Sequence, residues 1–260
     1  KKIKVLTLSD HPLSPSGVGT QTKYMCEALL NTGRYSIISL GGAIKHNDYR
    51  VKAVEPYGED WKVIPIDGYG TQDNIRSIIR TEKPDILWFM TDPRFWGWLW
   101  QIENEIRPLV PMVYYHVWDN YPVPMFNRKY YISNDAIATI SKVTDDIVKQ
   151  AAPEVKRKYI PHAVDGSVFK PLSLDAIKDI REKSLPKEDL DKVIFFWNNR
   201  NARRKQSGTL IWWFKEWLDK NDLHDKAQLI MHTEPKDPHG QDLLHIIEHL
   251  GLNDRQVLLS

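Results

Sequence analysis

Four groups of residues in this sequence have types and spacings suited to chemistry. The first is Ser14-Pro15-Ser16-Gly17-Val18-Gly19-Thr20, where two glycines lie one residue apart before a helix-period segment. Glycines there let the backbone approach an anion, and a helix start offers unpaired amides with a partial positive charge. The second is Asn198-Asn199-Arg200-Asn201-Ala202-Arg203-Arg204-Lys205-Gln206. Arg grips phosphate oxygens with a planar fork and Lys adds a point charge, a pair suited to a diphosphate; the bland alternative is a solvated basic turn. The third is Tyr114-Tyr115-His116-Val117-Trp118-Asp119-Asn120-Tyr121, a His with an Asp three residues on among stackable rings. It reads as a sugar-facing wall or as ordinary core. The fourth is His245-Ile246-Ile247-Glu248-His249, which matches an inverted zinc-peptidase pattern. A stripe of Leu243, Leu244, Ile247 and Leu250 is expected to be buried, leaving both histidines solvated, so no metal site is assigned.

These groups need elements to position them, and the hydrophobic pattern supplies alternating strands and helices. Strands are expected at Ile3–Leu8, Ser36–Leu40, Asp85–Met90, Met112–Tyr115 and Ala136–Thr139. Helices are expected near Thr20–Leu30, Gln72–Glu82, Phe95–Glu105 and Lys142–Ala151, with Gly33 as a left-handed cap after the first. A second α/β unit follows, with a charged helix near Leu174–Lys183, strands at Val193–Trp197, Ala227–His232 and Gln256–Leu259, and helices near Gly208–Leu218 and Asp242–Leu250. The glycine loop and the basic loop then both follow strands, at the carboxyl edge where open α/β sheets bind ligands.

Composition narrows the function classes. Thirty-six Lys plus Arg against 34 Asp plus Glu gives a net charge of +2 over 260 residues. That balance disfavours general attraction to nucleic acid or to anionic membrane, although the run Arg200–Lys205 keeps nucleic-acid binding as a minor reading. Apolar runs such as Ile86–Met90 fall far short of the roughly 18 residues of a membrane span, which leaves room only for peripheral membrane contact. Cys26 is the only cysteine, so neither an internal disulfide nor a cysteine metal cage can form. No signal segment opens the chain, and a reducing, cytoplasmic location is expected. The glycine loop lacks the third glycine of a dinucleotide fingerprint, and no Gly-Lys pair of a P-loop occurs. The ten Trp exceed ordinary core use, and aromatic faces suit sugars and bases.

Taken in order, the groups resemble a known family. Pro15-Ser16-Gly17-Val18-Gly19-Thr20, His116 after a strand, Ile160-Pro161-His162-Ala163-Val164-Asp165 with Phe169 and Pro171, then Arg200 and Lys205, are similar to the motifs of family-four retaining glycosyltransferases. The resemblance implies the α/β GT-B fold: two Rossmann-like, doubly wound domains facing a cleft. Residues 1–171 would form the acceptor-side domain, and residues 172–260 a partial nucleotide-sugar domain. It implies transfer of a sugar from a nucleotide-diphosphate sugar to an acceptor hydroxyl, with retention of configuration and no metal or other cofactor. Arg200 and Lys205 would neutralise the donor diphosphate, Gly17 and Gly19 would form the flexible loop near it, and His116 would contact the donor sugar near the reacting carbon.

Three departures stand out. Asn199 precedes the Arg and Gln206 follows the Lys where the family usually has Gly. No two Glu are spaced as in the family's Glu-x7-Glu motif. The last stretch, Gln256–Ser260, stops inside an expected strand, as a truncated second domain would. The sequence therefore also fits a catalytically incomplete, glycosyltransferase-like binding module. Donor base, sugar, acceptor and oligomeric state are not encoded in these motifs.

Overall fold

The computed structural model describes residues Lys1–Ser260, which divide into two compact units, Lys1–Gly166 and Ser167–Ser260. No helix is long and apolar enough to cross a membrane.

The first unit runs β1 (Ile3–Asp10), α1 (Gly17–Leu30), β2 (Tyr35–Gly42), β3 (Lys52–Val54), β4 (Gly58–Pro65), α2 (Gln72–Glu82), β5 (Ile86–Met90), α3 (Gly97–Trp100) and α4 (Glu103–Ile106). It continues with β6 (Met112–His116), α5 (Arg128–Tyr131), β7 (Ala136–Thr139), α6 (Lys142–Ala151) and β8 (Arg157–Tyr159). The eight strands form one sheet in the order β3-β4-β2-β1-β5-β6-β7-β8, parallel except for the β3–β4 pair. Its centre reads as unbroken apolar runs because both faces are covered. Leu6, Leu8, Leu87 and Phe89 face a core with residues of α2 to α6, whereas Val5, Ile37, Trp88 and Met90 face one with α1. Cys26 of α1 is sealed in that second core, and burial pushes its thiol up to about 12. Side-chain caps start the helices: Ser16, Thr71 and Ser141 each accept an amide N–H of the first turn. Gly33 takes φ +71 just past α1, the left-handed stop expected there.

β3, β4 and β8 are strands beyond those expected from the sequence, and Phe95–Glu105 is not one helix but the turn Pro93–Phe95 followed by the short α3 and α4. Trp96 and Ile102, at φ −111 and −117, break the helical path, and with the break Trp96, Leu99, Trp100, Ile102 and Ile106 all reach the core. Trp96 and Trp100 are packing residues there.

The second unit runs α7 (Leu174–Ser184), β9 (Val193–Asn198), α8 (Ser207–Asn221), β10 (Ala227–His232), α9 (Leu243–His249) and β11 (Val257–Leu259). Its three parallel strands lie in the order β11-β10-β9. Ala227, Leu229, Met231 and Val257 pack with α8 and α9 on one face. β9 is an edge strand, and its Phe196 is 66% exposed. A buried ion pair, Lys192 to Asp189 at 2.8 Å, joins the approach to β9 to the loop before β11, since Lys192 Nζ also donates to the Arg255 carbonyl.

Candidate active site

In the first unit the chain steps from β1 outward to β2 and β4, then returns to β5 on the other side of β1. This reversal is a topological switch point between β1 and β5, whose carboxyl ends are the usual ligand position of such sheets. The glycine loop leaves β1 there, and its two glycines do different things. A Cβ on Gly19 would lie 2.6 Å from both the His11 carbonyl and Ser14 Oγ, so Gly19 lets α1 press against the preceding turn. A Cβ on Gly17 would meet nothing within 4 Å. Gly17 is exposed at the first position of α1, where helix geometry leaves the amides of Gly17 and Val18 without intrahelical acceptors. Of the two, Gly17 is the one with open space for a ligand.

Polar side chains that the sequence did not single out gather beside this loop. Asp10, the last residue of β1, accepts hydrogen bonds from Ser16 Oγ at 2.6 Å and Tyr69 Oη at 2.7 Å. Burial, then Asp10, pushes the Tyr69 phenol up. At the end of β5, Thr91 is buried at φ +113, and its carbonyl accepts from Tyr114 Oη at 2.6 Å. A β-branched residue in that backbone region is strained, a feature concentrated at functional sites. Asp92 follows and caps the next turn through the Arg94 amide. The sequence signal was available only as a polar Thr-Asp pair closing an apolar strand.

His116 ends β6 and is fully buried. Its Nε2 lies 2.8 Å from Tyr131 Oη of α5, and no bond to Asp119 forms; Asp119 is exposed. Burial alone lowers the imidazole to about 3. The ring is neutral at physiological pH and can bind an oxygen or nitrogen without changing charge. Tyr114 and Tyr115 are core residues, and Tyr121 is exposed with its hydroxyl on Asp146. The expected wall of rings around His116 is therefore split between core and surface.

The Ile160–Ala163 segment is held against α1. Gln21 donates to the Ala163 carbonyl at 2.7 Å and accepts from the Ala163 amide at 3.1 Å, while Tyr115 Oη donates to the Ile160 carbonyl at 2.8 Å. Between segment, helix and sheet lies an apolar cavity of about 320 Å³ lined by Met25, Leu29, Trp88 and Pro161 among others.

In the second unit the basic loop follows β9. Arg200 is exposed and forms a two-bond pair with Asp237, at 2.7 and 3.2 Å. This pairing raises the guanidinium and lowers the Asp237 carboxyl to about 2. The Lys205 ammonium, partly exposed, makes no ion pair. What shapes the loop is Asn201, a residue not singled out in the sequence. Fully buried, it donates to the carbonyls of Glu234, Pro235 and Gln241 and accepts from Ser207 Oγ. Gly240 packs so tightly on it that a Cβ would collide with the Asn201 carbonyl. Gln206, standing where the resembled family has Gly, takes φ +56 and ψ +37. A left-handed residue is thus required at this position. Asn199 is not in that region.

On α9, His245 and His249 are exposed with ring centres 6.2 Å apart, and no third metal-ligating group joins them. Leu244, expected in the buried stripe, is 47% exposed; Leu243 and Ile247 alone are buried. Ile246 and Leu250 pack partly buried against the same core, so the covered face is the one shared by Leu243, Ile246, Ile247 and Leu250, and Leu244 lies outside it.

No protein-family model and no curated protein sequence matches the chain. Solved structures do. A glycosyltransferase from Rickettsia africae superposes with a TM-score of 0.67 at 19% identity, covering 100% of this chain and 68% of that one. The fold is GT-B. An Escherichia coli trehalose-6-phosphate structure bound with UDP-2-fluoroglucose gives 0.60 at 11% identity, covering 95% of this chain and 69% of that one. A Listeria monocytogenes protein named as a UDP-N-acetylglucosamine 2-epimerase gives 0.61 at 12%, covering 100% and 69%. The likeness to glycosyltransferases of this architecture agrees with the resemblance carried by the motifs.

Proposed function

We propose that the chain acts as a glycosyltransferase, moving a sugar from a nucleotide-diphosphate donor to an acceptor hydroxyl with retention of configuration. The observation that carries this reading is the GT-B likeness over the whole chain, joined to a strand-following loop that presents Arg200 and Lys205. Breaking the sugar–phosphate bond builds negative charge on the departing diphosphate. Fixed cations stabilise that charge more in the transition state than in the ground state, which is how they accelerate the step. Arg200 and Lys205 fill this role in the nucleotide-sugar unit, without a metal. In the acceptor-side unit, the exposed amides at Gly17 are suited to an anion, and neutral His116 to holding a hydroxyl oxygen rather than shuttling a proton. Retention follows from attack on the same face as the leaving phosphate, which takes the acceptor proton.

The fold also serves a protein named as an epimerase, so the test must read the reaction and not only binding. The chain is incubated with UDP-, GDP- and ADP-sugars and a panel of hydroxyl acceptors, and products are separated. A glycoside with retained configuration supports transfer; an inverted glycoside, or epimerised donor without glycoside, refutes the reading. The second reading, a binding module without turnover, draws on the three-stranded sheet of the second unit. It predicts saturable donor binding with no product.

A further inference from the structure

The surroundings of His116 bear on which of its nitrogens carries the proton. Two contacts reach the Tyr131 hydroxyl: His116 Nε2 at 2.8 Å and the Asn127 side-chain amide nitrogen at 3.5 Å. His116 Nδ1 is buried without a partner. Suppose the phenol donates to Nε2. Its oxygen then keeps its lone pairs toward the Asn127 N–H, and one buried polar group, Nδ1–H, is unpaired. Suppose instead that Nε2–H donates to the phenol. The phenol oxygen then faces two donors, Nε2–H and the Asn127 side-chain N–H, and its own proton has no acceptor. The Nδ1 lone pair is unpaired as well. Two unsatisfied groups cost more than one, so the first arrangement wins.

We propose that Tyr131, steadied by Asn127, is a positioning residue that holds His116 as the neutral Nδ1–H tautomer, with Nδ1–H its single free donor. A ring fixed in this way recognises an acceptor atom, such as the oxygen of a sugar hydroxyl, and has no lone pair left to act as a base. Nδ1 is enclosed, so an incoming oxygen reaches it only as neighbouring side chains give way. The role toward sugar rests on the function proposed above; the tautomer does not.

The experiment separates the two. Protein labelled with ¹⁵N-histidine is studied by long-range ¹H–¹⁵N correlation at neutral pH, with the His116 signals identified by their loss in His116→Gln. The expected pattern is a protonated Nδ1 and an unprotonated Nε2. Tyr131→Phe removes the donor to Nε2, so His116 should pass to the Nε2–H form or to a mixture. An Nε2–H pattern in the unaltered protein overturns the proposal, and this measurement needs no variant at Tyr131. An unchanged Nδ1–H pattern in a folded Tyr131→Phe protein overturns it too. Absence of glycosyl transfer would remove the proposed sugar contact and leave the spectra as they are.

Discussion

Arg200 and Asp237 are locked together by two side-by-side hydrogen bonds, at 2.7 and 3.2 Å, the guanidinium exposed and the carboxylate largely covered. The guanidinium proposed for the donor diphosphate already has an internal carboxylate, so a ligand must share it or displace it. Removing the competitor should therefore help. Asp237→Asn is expected to tighten nucleoside-diphosphate binding several-fold, and Arg200→Ala to weaken it about tenfold or more, as loss of a charge-assisted contact does. Calorimetric titration with UDP, GDP and ADP checks both. Unchanged affinity in Arg200→Ala and Lys205→Ala together would remove this loop from the donor site.

The two glycines of the first loop should separate stability from binding. Gly19→Ala pushes a methyl into the His11 carbonyl and Ser14 Oγ and should cost roughly 1–3 kcal/mol. Gly17→Ala enters open space and should leave stability within about 0.5 kcal/mol while weakening any anion held at the helix start. Urea unfolding and ligand titration on the same two variants give the contrast.

Gln206 predicts a gain. At φ +56 an L side chain is strained, and Gln206→Gly should stabilise the second unit by up to about 1 kcal/mol. Its side-chain bond from Thr209 Oγ1 is exposed and subtracts little. A lower midpoint of denaturant unfolding in this variant would mean that the left-handed turn is not formed.

Acid should loosen the first unit. Its His116 is held neutral, with its protonation lowered from 6.5 to about 3 by burial and no charged neighbour contributing. The unfolded chain binds that proton and the folded chain does not. Stability from this group is fully present above pH 6.5 and is lost as pH falls toward 3, with a slope of up to about 1.4 kcal/mol per pH unit. His11 and His162 are lowered in the same direction, again with burial first. Unfolding measured at pH 7 and pH 5 should show a smaller pH dependence in His116→Gln than in the unaltered protein.

The sequence exposed what depends on local pattern and concealed what depends on distant packing. Strands with unbroken apolar runs, such as Ile86–Met90, announce themselves. β4 carries a different signal, the alternation of a half-buried strand, with Trp61 and Val63 buried between the charged Asp60 and Lys62, and so is not an apolar run. β8 was hidden because an edge strand can afford Arg157 and Lys158. At the candidate site, the charged residues Arg200 and Lys205 stand out in the sequence. Those that shape it, Asn201, Tyr131 and Thr91, do not, because their roles come from partners such as Gln241, His116 and Tyr114, between 15 and 40 positions away. Only in Gln206 did a departure from a family pattern become a conformation.

The sealed thiol of Cys26 has a practical corollary. Maleimide dyes react with thiolate, which this group does not supply in the native state. The unaltered chain is optically silent to such reagents, and one cysteine placed at an exposed position such as Thr32 or Lys220 becomes the sole point of attachment. Fluorescence from that single label can then follow ligand capture with no background to subtract, and sudden labelling of Cys26 itself would report that the packing around α1 has come apart.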